Sequence, residues 1–174
     1  GLPNCTGLTQ QYKGVSMMPV DWGDWYDLVH SLVTHATERY GMEEVRTHWA
    51  FEVWNEMWGT GFPDAYMTLF ATASNAVKAV DKQIRIGGPA TMQLDFVREF
   101  VDQCEKRGVE YDFVSTHMYP NDGFCPSTGD AEWNPDCFRD MILRARSFVP
   151  AEKPFSLTEY SVMCCNPGSD SVAA

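Results

Sequence analysis

Two glutamates, Glu56 and Glu159, stand where a parallel α/β sheet puts its chemistry. Each closes a short run that reads as a strand, and such sheets carry their sites at the C-terminal ends of their strands. Residues 49–55, WAFEVWN, read as the first strand and end on Asn55 and Glu56. Residues 84–86 form a second, stopped by Gly87-Gly88-Pro89. Residues 113–116 form a third, followed by His117, Tyr119 and Asp122, and 155–158 a fourth, followed by Glu159 and Tyr160. Two carboxylates, a histidine, a tyrosine and an asparagine thus meet at one rim. Cleavage of a glycosidic bond needs such a pair: one carboxyl protonates the leaving oxygen and the other attacks or stabilises the sugar carbon. The two stand ~5–5.5 Å apart when configuration is retained and ~6.5–9.5 Å apart when it is inverted. Trp54, Trp58, Phe62, Tyr119 and Tyr160 are aromatics near that rim that could stack on sugar faces.

The elements that must position these groups alternate. Asp21 offers an N-cap, and Trp25, Leu28, Val29, Leu32, Val33, Ala36 and Tyr40 follow at helical spacing until Gly41. Pro63 opens a second helix bearing Tyr66, Leu69, Phe70, Ala73, Val77 and Val80 on one face. A third carries Leu94, Val97, Val101 and Cys104 and stops near Gly108. After a long irregular loop, roughly 120–134, Asn134-Pro135 caps a fourth helix that runs to Pro150. Strand–helix alternation with short connections predicts an α/β fold with a parallel sheet. Periodicity alone fits a doubly wound sheet as well as a barrel.

The remaining residues have plainer readings. Glu52 shares the barrel-interior parity of Trp54 and Glu56, and a buried carboxylate needs a partner; Arg85 is the candidate. Trp22, Trp25 and Trp49 read as core. Gly87-Gly88 lacks the Lys-Ser/Thr of a phosphate loop, and His30, His35 and His48 have no metal-ligand spacing. No metal or organic cofactor is expected. Cys104 reads as a buried thiol, Cys125 and Cys137 flank a loop that a disulfide could close, and Cys164 and Cys165 are adjacent. Asn4-Cys5-Thr6 is a glycosylation sequon, which tips the expectation toward a secreted protein.

Composition bounds the rest. The 174 residues are 44% hydrophobic, enough for a packed core, and carry a formal net charge of -11. That charge disfavours nucleic-acid and anionic-membrane partners, and no apolar run approaches the ~20 residues of a membrane span. A carbohydrate is the expected partner; oligomeric state is not legible.

FEVWNEMWG at 51–59, GGPAT at 87–91, DFVSTHMYP at 112–120 and SLTEYS at 156–161 resemble, in that order, glycoside hydrolase family 39. That family includes β-xylosidases and α-L-iduronidases, and the similarity covers roughly residues 15 to 165. The resemblance implies a partial (β/α)8 TIM barrel, about strands four to seven, with residues 1–174 as a single partial catalytic domain. It implies that Glu56 is the acid/base at the fourth barrel strand and Glu159 the nucleophile at the seventh. Asn55 resembles the residue that binds the sugar 2-hydroxyl, and His117 and Tyr119 resemble residues lining the sugar site; Trp54 and Tyr160 are neighbouring candidates. The implied activity is retaining hydrolysis of O-glycosidic bonds, with a β-xyloside as leading substrate and a uronide as alternative. Met57 stands where the family usually has Pro, and Tyr160-Ser161 where it often has Phe-Asn. Three other readings stay open: a non-catalytic carbohydrate-binding relic, an inactive piece of a longer enzyme, and a half-barrel that pairs with a second copy.

Overall fold

The computed structural model describes residues 17–57, 62–120, 122 and 134–161. In chain order these form α1 (Trp22–Tyr40), α2 (Met42–His48), β1 (Ala50–Glu52), α3 (Asp64–Val80), β2 (Arg85–Thr91), a 3-10 turn (Met92–Leu94), α4 (Val97–Arg107), β3 (Phe113–His117), α5 (Pro135–Arg146) and β4 (Phe155–Glu159). All four strands are parallel, in the order β1-β2-β3-β4. The sheet is curled: Thr158 on β4 donates to Glu52 Oε1 on β1 at 2.7 Å, so the outer strands meet over the concave face. The architecture is therefore a partial barrel with helices outside, as expected.

The caps read from the sequence hold. Asp21 Oδ1 accepts from the backbone N–H groups of Gly23 and Asp24, Gly41 ends α1 at φ 97°, Asn134 Oδ1 accepts from Cys137 N, and Gly108 caps α4 in the left-handed region. The sequence reading overlooked α2, seven residues of which only Val45 is buried, too short for an apolar period. Leu94 lies in the 3-10 turn rather than in α4, because Gln93, Leu94 and Phe96 all take positive φ and break the helix.

Two further expectations need correction. Gly87-Gly88-Pro89 does not stop β2; the strand runs through it to Thr91. The glycines serve close packing instead. A Cβ on Gly87 would lie 2.3 Å from the Phe113 carbonyl oxygen, and one on Gly88 would lie 2.3 Å from Tyr66 Oη. Glu52 does not pair with Arg85. Arg85 donates to the Trp49 and Thr47 carbonyls at the end of α2, at 3.1 and 3.0 Å, while Glu52 takes the Thr158 hydroxyl. The reason is register: Arg85 lies opposite Ala50 at the strand's start, where free helix carbonyls compete for a guanidinium.

The core fills the space between the convex face of the sheet and α3 and α4. Tyr66, Phe70, Phe100, Ile86 and Val114 are fully buried, and Phe70 and Phe100 meet edge to face at 4.8 Å. Burial of each large side chain stabilises by about 1.5–3 kcal/mol. Trp22, Trp25 and Trp49 pack against this core as expected, and Trp25 Nε1 joins α1 to α3 through the Leu69 carbonyl. Cys104 is buried and free, and burial, with the Glu105 charge, pushes its thiol up to about 12. Buried Lys78 donates to Asp112 and to the carbonyls of Ile84 and Lys82, which matches its three N–H donors and ties the starts of β2 and β3 to α3. Among the described residues, no helix is long and apolar enough to cross a membrane.

Cys137 is disulfide-bonded; its expected partner Cys125 lies outside the described residues, as do Asn4, Cys5, Trp58, Cys164 and Cys165.

Candidate active site

The site is assembled by the way each strand ends. β1 ends at Glu52, three residues before the predicted end at Asn55, because Trp54 and Glu56 turn left-handed at φ 73° and 42°. Positive φ at such residues costs on the order of 1–3 kcal/mol and persists only where neighbours hold it. Here the Val53 and Glu56 N–H groups bond to the carbonyls of Gly87 and Ala90 at 3.0 and 2.8 Å, which tethers the turned segment to β2. At the other side, the β3–β4 register slips by one residue, from Thr116↔Leu157 to His117↔Glu159. The slip sets Glu159 directly beside His117.

The four residues Glu56, His117, Tyr119 and Glu159 consequently form one cluster. His117 Nδ1 lies 2.9 Å from Glu56 Oε1 and 3.6 Å from Glu159 Oε2. The Tyr119 hydroxyl donates to Glu159 Oε2 at 3.0 Å. Carboxylate oxygens of Glu56 and Glu159 lie within 4.8 Å of one another. Donors so spaced would also admit a cation, but the 2.9 Å contact has the length of a direct hydrogen bond. The side chain of His117 is 1% exposed, that of Glu56 14% and that of Glu159 42%. Burial alone would lower the pKa of His117, and it is the largest single influence. The hydrogen bond to Glu56 and the charges of Glu159, Glu56 and Glu52 together outweigh it, so the imidazole titrates above its ordinary value.

Two groups extend the rim beyond the sequence-based site. Asp122 accepts from the Tyr119 N–H at 2.8 Å and from Gln93 Nε2 at 3.5 Å. Burial, and the charge of Glu56, raise its carboxyl against those two bonds. The Asp in Tyr-Pro-Asn-Asp is a legible turn former, whereas Gln93 carries no sequence signal, since its role follows from a backbone at φ 57°. Of the remaining candidates, Trp54 packs edge-on against Trp25 at 5.8 Å, Asn55 is exposed at the same strand end, and Tyr160 is 70% exposed. Met57 is buried in the core.

This arrangement brings two carboxyl groups and a tyrosine hydroxyl together around one imidazole nitrogen. The model of glycosyl hydrolases family 39 matches residues 4–162. The chain belongs to glycosyl hydrolases family 39. It is 42% identical over 126 residues to a β-xylosidase of Caldicellulosiruptor saccharolyticus, covering 70% of this chain and 26% of that protein. It is 41% identical over 115 residues to a β-xylosidase of Geobacillus stearothermophilus, covering 62% and 23%. A crystal structure of a monomeric β-xylosidase from Caulobacter crescentus superposes with a TM-score of 0.72 at 37% identity, covering 83% of this chain and 32% of that one. The family 39 chain thus spans about a quarter of the length of the curated relatives it matches.

Proposed function

We propose that this chain carries the catalytic pair of a retaining O-glycoside hydrolase acting on β-xylosides. The observation that carries the reading is the carboxylate proximity: one oxygen of Glu56 and one of Glu159 lie no more than 4.8 Å apart, an upper bound that fits the ~5–5.5 Å of a retaining pair better than the ~6.5–9.5 Å of an inverting one. Glu56, largely shielded from solvent, protonates the glycosidic oxygen while the Glu159 carboxylate attacks the anomeric carbon, and the bond to the leaving oxygen breaks. Glu56, now a carboxylate, takes a proton from water as that water attacks the same carbon, and the ester bond to Glu159 breaks. The Tyr119 hydroxyl holds the attacking carboxylate. Asn55, Trp54 and Tyr160 line the sugar site, and His117, expected there too, is buried behind the two glutamates. The β-xyloside is supported by the two β-xylosidases that the chain resembles. An activated 2-fluoro-β-xyloside, whose ester breaks down slowly, tests this directly. Intact-protein mass should rise by one fluoroxylosyl group, and peptide mapping should put it on Glu159. A label elsewhere on the chain contradicts the assignment.

The second reading is an inactive fragment or a carbohydrate-binding relic, and the four-stranded sheet favours it. A closed barrel of this type has eight strands, the described residues form four, and the other four would supply further sugar contacts. Xyloside binding without turnover or label would support it.

A further inference from the structure

The arrangement of His117 adds a step to this scheme, and the inference rests on the functional reading above. A buried imidazole with one nitrogen among carboxylates and the other without a partner has only one comfortable tautomer. Nδ1 lies at hydrogen-bond distance from Glu56 Oε1, 2.9 Å, and 3.6 Å from Glu159 Oε2, a charge contact that a small ring rotation would shorten, while Nε2 is buried and has no partner among the described residues. A proton on Nε2 alone would leave a buried donor unsatisfied and turn the Nδ1 lone pair toward the Glu159 carboxylate, with only a protonated Glu56 able to donate to it. Neutral His117 therefore keeps its proton on Nδ1.

We propose that His117 is a positioning residue whose single Nδ1–H is shared by the two glutamates and follows the negative charge from one to the other during the reaction. Before sugar transfer Glu159 bears the charge and Glu56 the proton. Forming the ester neutralises Glu159 and leaves Glu56 as the anion. The donor within reach of both stabilises Glu159 in the first state and Glu56 in the second, without moving its ring far. Tyr119 supports Glu159 independently, so loss of His117 weighs most on the second half of the cycle, when Glu56 is the anion.

The test has two arms on the full chain. Nitrogen-15 NMR of the histidine rings across pH reads the tautomer and the midpoint of His117. The charged groups that act on it are Glu56, Glu159 and Glu52. Nδ1 should be the protonated nitrogen of the neutral ring, and Glu56→Gln and Glu159→Gln should each lower the midpoint. A neutral ring protonated at Nε2, or no shift in Glu159→Gln, overturns the sharing. In the second arm, His117→Phe should release an initial burst of phenol from an aryl β-xyloside followed by a slower steady rate. His117→Asn, whose amide N–H can stand near the Nδ1 position, should restore the steady rate at least partly. Equal slowing of both phases, or no difference between Phe and Asn, overturns the charge-following role. If the wild-type chain neither hydrolyses the xyloside nor forms an ester, the functional reading fails instead, and the NMR arm still decides whether the proton is shared.

Discussion

The convex and concave faces of this sheet are made of the same four strands and solve opposite problems. On the convex face Tyr66, Phe70, Ile86, Phe100 and Val114 fill the space beneath α3 and α4, and the polar atoms there are paired, down to the Tyr66 hydroxyl on the Val53 carbonyl at 3.0 Å. The concave rim gathers negative charge around one buried imidazole, holds Glu56 at positive φ, and leaves Ser115 Oγ and His117 Nε2 without partners among the described residues. One face follows the rules of packing and satisfaction; the other departs from them where strand ends meet. Departures of this kind are expected where chemistry is done, because strain and crowded charge are kept only where something depends on them. The carboxylate pair sits on the second face, and the stability that holds it in place comes from the first.

If that division is real, substitutions on the two faces should move different quantities. The largest effect should come from Glu56→Gln, which removes the proposed proton donor: hydrolysis of an unactivated xyloside should fall by about 10²–10⁴-fold, with the urea unfolding midpoint little changed. A comparable loss of stability would place Glu56 among the groups holding the fold. Phe100→Ala should do the reverse, costing about 3–5 kcal/mol in urea unfolding through the cavity left against Phe70 and Tyr66. Gly88→Ala should cost about 1–3 kcal/mol, because the new methyl displaces the Tyr66 hydroxyl from Val53 and must be accommodated by close-packed neighbours. The control Gly41→Ala has open space around its Cβ and should suffer only from its positive φ.

The smallest effect is a pH-dependent one at the rim. Burial, with the charges of Glu99 and Asp122, raises the Asp95 carboxyl above its ordinary value. A raised carboxyl favours folding below its unfolded pKa, ~3.9, and that contribution is lost as pH rises through the folded value. Asp95→Asn should therefore raise the melting temperature slightly at pH 7, by no more than about 0.5 kcal/mol in stability, and the advantage should vanish below about pH 4. A gain that persists at low pH would mean that the charge is not the cause.

Much of this was legible from one chain. Caps at Asp21, Gly41, Gly108 and Asn134 are local chemistry, readable a few residues at a time. The strand-end rule alone brings Glu56, His117, Tyr119 and Glu159 to one rim. What escaped was non-local. The pairing of Glu52 with Thr158 spans 106 residues, and no alternation pattern anticipates it. The Gly87-Gly88-Pro89 run has the composition of a turn, and only the proximity of Phe113 and Tyr66 reveals why a strand needs it. The register slip that sets Glu159 beside His117 leaves no mark on the sequence.

The central claim is that Glu56 and Glu159 act as a retaining pair, and the anomer first released reports on it most directly. Proton NMR during hydrolysis of an aryl β-xyloside by this chain should show β-xylose first, with α-xylose growing in only by mutarotation. α-Xylose as the first product would mean inversion and would contradict the account.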